Sequence, residues 1–377
     1  MMVPRRAAAW RWTALVGATV AAALPLARLG VPSAALFAAL FVATALALAG
    51  RAPDFVPRGA TLAAQAVLGV VIGALVSGPT LRALAAHAIP VVLVTFATLL
   101  VSIGAGLLMG LRRDVDATTG ALALTTGGAS AIVALAAELG ADIRMVAVVQ
   151  YLRVGLVTAI MPLVAALVFH VGGHPAADHL LHVRGHPAAD HLLHVRGHAG
   201  AGHVSHAGLQ GLVLVALAAP LGLLLARLTR MPAGPLLGPL IVAAAITLTG
   251  RTGDAGVPAP IVDLAYAAIG WQAGVRFTRA RLAEIGRALP TALGLILLVN
   301  AICAGLGALL ANLAGATPFE GYLATLPGGI YAALAMAIAA RTDVTFVLAV
   351  HVLRVLLVMF TMPLFARLLR RRAARPH

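Results

Sequence analysis

A chain of 377 residues that is 61% hydrophobic and only 10% charged, with a mean hydropathy of +1.00, is excluded from the ordinary soluble class, in which about a quarter of residues are charged. Its net charge of +15 comes from arginine alone, since the chain has no lysine. The arginines cluster at the ends of apolar runs, so they report membrane sidedness rather than a nucleic-acid surface. The single cysteine, Cys303, rules out an internal disulfide framework and a cysteine-based zinc site.

A helix that crosses a bilayer needs about 20 apolar residues. In chain order, the runs 10–28, 33–50, 60–77, 88–111, 143–169, 208–226, 233–250, 258–275, 288–312 and 343–366 are read as crossings. Arg5 and Arg6 before the first run resemble the start of a signal peptide, but a retained anchor is expected because the run 208–226 is its counterpart. Two further apolar stretches, 117–140 and 318–340, are interrupted by Gly127-Gly128 and Gly328-Gly329.

Sidedness follows from the arginines. With a cytoplasmic N-terminus and both Gly-Gly stretches dipping in and returning, Arg51, Arg58, Arg112, Arg113, the cluster Arg276 to Arg287 and the basic tail all fall inside. Full crossing by both stretches would move the Arg276 to Arg287 cluster outside, against the positive-inside rule. The expectation is ten crossings plus two re-entrant segments, with both termini cytoplasmic, in a bacterial inner membrane.

The chain repeats itself. At an offset of 201 residues, Thr126-Gly127-Gly128 falls on Pro327-Gly328-Gly329, Asp142 on Asp343, Leu152-Arg153-Val154 on Leu353-Arg354-Val355, and Met161-Pro162-Leu163 on Met362-Pro363-Leu364. Earlier in each half, Pro32 and Leu36 match Pro232 and Leu236 at an offset of 200. The expected organisation is a membrane repeat over 1–169, a His-rich linker over 170–207 and a second repeat over 208–377. Five crossings per half would invert one copy relative to the other. Inverted repeats are an architecture of secondary transporters, whose sites lie at mid-membrane among broken helices.

The candidate site is therefore Thr126, Gly127, Gly128, Gln150 and Arg153 in one half and Pro327, Gly328, Gly329, His351 and Arg354 in the other. Glycine lets backbone approach a ligand closely and frees amides that can bind an anion; the bland reading is close helix packing. Arg153 and Arg354 lie about 15 Å into apolar helices at 1.5 Å per residue, and charge at that depth faces a partner or a cavity. They could instead bond broken-helix carbonyls and serve structure alone. Gln150 and His351 each precede an arginine by three residues and share its face. His351 could shuttle protons or be structural. Asp142 and Asp343 read as helix N-caps, and Pro162 and Pro363 as structural positions.

The series Thr-Thr-Gly-Gly-Ala-Ser, Glu138, Asp142, Gln150, Leu152-Arg153 and Pro162, repeated as Leu-Pro-Gly-Gly, Asp343, His351, Leu353-Arg354 and Pro363, resembles the AbrB-duplication family of bacterial polytopic membrane proteins. Met231-Pro-Ala-Gly-Pro-Leu-Leu-Gly-Pro239 is similar to another motif of that family. The resemblance covers about residues 10–170 and 208–370 and implies that labels such as AbrB-family transcriptional regulator or ammonia monooxygenase apply to relatives. No part of the chain resembles the small soluble DNA-binding fold of the same name. A membrane oxygenase would need a cluster of His, Glu or Asp in the helices, and these offer only His87, His351 and Glu138.

Residues 173–184 are repeated without change as 185–196, and ten of thirteen histidines lie from His170 to His206. His179 with His182, and His191 with His194, share helical faces and could bind a divalent metal, but recent slippage leaves the same pattern. The linker is expected to be disordered or only partly helical.

The sequence thus points to an all-α integral membrane protein, not an enzyme, that moves a small solute, an anion being compatible with the arginines. It needs no cofactor. Its expected partners are the bilayer and the solute; a homodimer is compatible, and direct nucleic-acid binding is not expected. The alternatives are a membrane sensor that affects gene expression indirectly and, third, a monooxygenase. Deleting residues 173–196 is expected to leave folding and core activity largely intact; a deletion protein that fails to insert, or that loses activity in metal-free buffer, would show the linker to be needed.

Overall fold

A computed structural model describes residues 5–29, 31, 33–76, 78, 82, 85–126, 132–133, 135–136, 139–171, 206–229, 231, 233–250 and 256–373. Gly127, Gly128, Glu138 and the four linker histidines considered as metal ligands (His179, His182, His191, His194) lie outside the described residues. Among those described, the chain is helical and contains no strand.

The first half holds α1 (Arg5–Arg28), α2 (Ala34–Leu48), α3 (Arg58–Ala74), α4 (Ala88–Met109), α5 (Ala117–Leu124) and α6 (Ile143–Leu167). The second holds α7 (His206–Thr229), α8 (Gly234–Leu248), α9 (Ala259–Gly274), the short α10 (Arg279–Ile285), α11 (Leu289–Ala314), α12 (Pro318–Thr325), α13 (Ile330–Ala339) and α14 (Val344–Ala373). Among the described residues, four helices, over Ala88–Met109, Ile143–Leu167, Leu209–Thr229 and Gly286–Ala314, are long and apolar enough to cross a membrane.

Four of the runs read as crossings form shorter helices. α2 and α8 have 15 residues, α3 has 17 and α9 has 16, against the about 20 that a perpendicular crossing needs. Local chemistry sets the limits. Pro57 and Pro258 stand immediately before α3 and α9. Gly50 and Gly250, at φ +71° and +72°, end α2 and α8 in the left-handed conformation that glycine adopts at least cost.

These short helices clasp one another across the halves. A Cβ on Gly69 of α3 would stand 2.4 Å from the Leu236 carbonyl oxygen of α8, and one on Gly73 would stand 2.4 Å from that of Leu240. The equivalent Gly270 and Gly274 of α9 would meet the carbonyls of Leu36 and Leu40 on α2 at 2.5 and 2.7 Å. Each half therefore supplies a glycine helix that receives the other half's backbone, and a methyl at either contact would push the helices apart. α3 and α9 themselves lie antiparallel, because the start of α3 and the end of α9 line one cleft.

The eight-residue helices α5 and α12 are about 12 Å long at 1.5 Å per residue. Gly106 packs on Gly120 and Ala121, and Gly307 on Gly321, so each short helix lies tightly against the long helix before it. The chain then turns back. The Asp142 amide, at the start of α6, donates to Thr119 Oγ1 in the first turn of α5 at 2.9 Å. The Asp343 amide likewise donates to Glu320 Oε1 at 2.8 Å. Each interrupted stretch thus returns to the level at which it began.

Both return legs end alike. Gly140 has φ +66° with Ala141 N bonded to Ala136 O, and Arg341 has φ +56° with Thr342 N bonded to Ala337 O, both at 3.0 Å. A left-handed conformation costs a non-glycine residue about 1–2 kcal/mol. Arg341→Gly is therefore expected to stabilise the protein by about 0.5–1 kcal/mol once glycine's greater chain entropy is subtracted. Gly140→Ala should destabilise it by about 1 kcal/mol. Thermal unfolding of the two purified variants in detergent checks both signs.

Candidate functional site

The site begins with two short helices that stop too soon. Asp116 caps α5 by accepting from the amides of Thr118 and Thr119, each at 2.9 Å. Thr317 and Glu320 form a reciprocal capping box at the start of α12. After eight residues each helix ends, because Thr125 and Leu326 take extended backbone angles of φ −60°, ψ 131° and φ −50°, ψ 128°. The last-turn carbonyls are left without amide partners, and they are buried: Leu124, Thr125, Thr325 and Leu326 are each at most 1% exposed.

The arginines fill that deficit. Arg153 Nη1 donates to the carbonyls of Leu124 at 3.1 Å and Thr125 at 2.8 Å, and Nη2 to Gln150 Oε1 at 2.9 Å. Gln150 Nε2 donates to the carbonyls of Leu122 at 2.8 Å and Thr125 at 2.9 Å. In the second half Arg354 Nη1 donates to Thr325 O at 3.2 Å and Leu326 O at 2.8 Å, while Nη2 lies 2.6 Å from His351 Nδ1. His351 Nε2 stands 3.0 Å from Leu323 O. Each of these bonds has its counterpart at the 201-residue offset except that from Gln150 Nε2 to the Thr125 carbonyl.

The geometry also fixes the imidazole. Nδ1 faces a guanidinium donor and must accept, while Nε2 faces a carbonyl and must donate. His351 is the neutral Nε2–H tautomer here and presents the same donor–acceptor pair as the Gln150 amide.

Of the residues expected at the site, Gln150, Arg153, His351 and Arg354 are 0%, 2%, 1% and 4% exposed, and all four converge on the helix interruptions. Thr126 is buried and accepts from Ser102 Oγ at 3.3 Å. Pro327 is buried, and Gly328 and Gly329 lie against Val157 and Val154 of α6. The second half's interruption thus abuts the first half's arginine helix within four residues of Arg153. Arg354 is within Coulombic reach of Arg153, and the buried Cys303 is within reach of both.

Asp142 caps α6 through the amides of Arg144 at 2.9 Å and Met145 at 3.1 Å, and Asp343 accepts from Phe346 N at 3.0 Å. Pro162 lies within α6 as a structural position, and Pro363 falls within α14. The two Asp–Arg pairs share helical faces in sequence, yet no ion pair joins them among the described residues. The arginines meet the carbonyl ends of the short helices, the structural one of the two arrangements that the sequence left open. The helix-end dipole accounts for this, since it is negative at the carbonyl end and favours a cation.

Sequence reasoning missed Asp116, Thr119, Thr317, Glu320 and Ser102. The Thr317-x-x-Glu320 spacing is a capping-box signal and was available; Thr119 and Ser102 gave none. Outside the helices, the Arg112–Asp114 pair at 2.9 Å holds the Asp114 carboxyl below its ordinary range, chiefly through that hydrogen bond. Arg112 also reaches Thr291 Oγ1 at 2.7 Å, tying the α4–α5 turn to α11.

A family profile described as "Transition state regulatory protein AbrB" matches residues 36–370. The chain belongs to the AbrB family. Among AbrB-related proteins, the chain is 32% identical over 311 residues to one of Escherichia coli (strain K12) named "Putative regulator AbrB", covering 82% of this chain and 83% of that one. It is 25% identical over 312 residues to "Uncharacterized protein YhjN" of Bacillus subtilis (strain 168), covering 81% and 77%. No solved structure matches. Both alignments are long enough to include residues from each half, and the profile spans both arginine helices up to residue 370.

Because glutamine offers the same donor and acceptor, His351→Gln is expected to keep stability within about 1 kcal/mol of the parent. His351→Leu strands Arg354 Nη2 and the Leu323 carbonyl in the interior, at about 1–3 kcal/mol each. Melting of the two purified variants distinguishes the outcomes.

Proposed function

We propose that this AbrB-family chain is a membrane permease for a small anionic solute, built from two inverted copies of one unit. The observation that carries the reading is the pair of buried arginines. Neither guanidinium has a carboxylate partner among the described residues, where the ion pairs are Arg11–Asp54 and Arg112–Asp114. Carbonyl dipoles soften two like charges held near each other but do not neutralise them. Each guanidinium has five N–H donors, and Arg153 Nε is buried with no partner. An anion arriving between the interruptions would meet leftover donors and uncompensated charge, for which arginine's planar fork is suited.

The antiparallel pairing of α3 with α9 supports the inverted relation, since equivalent helices in parallel copies would run the same way. Interrupted helices that enter and return at equivalent places in both copies are the parts from which alternating access is built. The arginines are closed off from solvent in this conformation, which fits an occluded state.

A second reading is favoured by the names of the family profile and the Escherichia coli relative, both of which say regulator. In it the same centre senses an anion and alters gene expression through a partner.

Purified protein in proteoliposomes, screened for uptake of carboxylates and inorganic anions at two pH values, tests the first reading. Arg153→Gln and Arg354→Gln are each expected to lower uptake at least tenfold, by about 1.4 kcal/mol or more in barrier, with expression near normal. Anion binding that both substitutions abolish, in protein that carries no flux, would support the sensor instead. Parent-like uptake by both variants would make the arginines structural.

A further inference from the structure

Two clefts meet at the start of α3, sharing Val56 in their walls. The first is polar, about 310 Å³, and includes Arg58, Thr61, Gln272 and Arg276. The second is apolar, about 360 Å³, and runs between α3 and α9, with Ala60, Ala64 and Val67 on one wall and Leu264 and Ala268 on the other. Trp12 and Trp271 close its sides, their rings 6.1 Å apart and edge to face. From Pro57 to Val67 the crevice follows α3 for about 15 Å at 1.5 Å per residue, or roughly one leaflet of a hydrocarbon core about 30 Å thick.

The polar end carries excess positive charge. Its one acid, Asp54, is engaged by Arg11 at 3.3 Å. Arg276 is held in place, with Nε donating to the Gln272 carbonyl at 3.2 Å and its guanidinium 4.0 Å over the Tyr151 ring. Arg58 is exposed and begins α3. Both arginines fall on the side that the positive-inside rule makes cytoplasmic, where basic pockets between helices take anionic headgroups.

We propose that the joined clefts hold an anionic phospholipid, its phosphate at Arg58 and Arg276 and one acyl chain along the α3–α9 crevice. A free oxyanion would use only the polar end and leave the apolar crevice empty. The lipid satisfies both ends, and it bridges a helix of each half independently of what the permease carries.

Native mass spectrometry of delipidated protein tests this with phosphatidylglycerol, phosphatidylcholine of the same chains, and inorganic phosphate. Retention of phosphatidylglycerol over phosphatidylcholine is expected, with about fivefold weaker retention in Arg58→Gln. Ala63→Phe, at an exposed position in the crevice wall, should weaken it similarly while leaving the lipid-free melting temperature unchanged. Displacement of the lipid by millimolar phosphate alone, or equal retention by Arg58→Gln and the parent, would overturn the proposal.

Discussion

The structure depends on how it caps two helices that end inside it. An α-helix that stops in an apolar interior leaves several carbonyls unbonded, and each costs free energy unless something donates to it. Water is excluded at the ends of α5 and α12, so the donors must come from protein. Arginine suits the task because one guanidinium serves two carbonyls and a third partner at once. A lysine ammonium, compact and strongly hydrated, would bring the same charge without the fork. The helix dipole adds to the effect by placing negative charge where the cation sits.

Other features follow from that requirement. The arginine must come from a helix whose start lies level with the start of the short helix, because side chains lean toward their own helix N-terminus. The bonds from the Asp142 and Asp343 amides to Thr119 and Glu320 set this level. The glycine contacts of Gly106 with Gly120, and of Gly307 with Gly321, then press each short helix against its neighbour. Within each half, one set of contacts fixes where the chain turns and another fixes what satisfies the turn.

Much of this was legible in the sequence. Gly328-Gly329 marked the second interruption, the repeated Leu-Arg-Val marked the capping residue, and the three-residue spacing to Gln150 and His351 marked its helper. Helix lengths were less legible. Apolar composition continues through residues 49–50 and 75–76, while left-handed Gly50 and Gly250 follow the ends of α2 and α8 and Pro57 and Pro258 set where α3 and α9 begin. The polarity of the contact stayed open in the sequence, since a Gly-Gly pair shows where backbone is freed but does not decide whether an arginine meets its amides or its carbonyls. The cross-clasp of α3 with α8 and α2 with α9 could not be read from either half alone, because it depends on how the two copies face each other.

The two halves share a scaffold but differ at its centre. Gln150 corresponds to His351, Thr126 to Pro327 and Ser102 to Cys303 at the 201-residue offset. Where the first half has a hydroxyl bond from Ser102 to Thr126, the second has Thr325 Oγ1 bonded to the Cys303 carbonyl at 2.7 Å. Gln150 cannot change charge, so its bond to Arg153 is fixed. His351 holds Arg354 only while Nδ1 is an acceptor. Glutamine and neutral histidine both offer the guanidinium an acceptor and a helix-end carbonyl a donor, so the capping scheme persists in both halves although the helper differs.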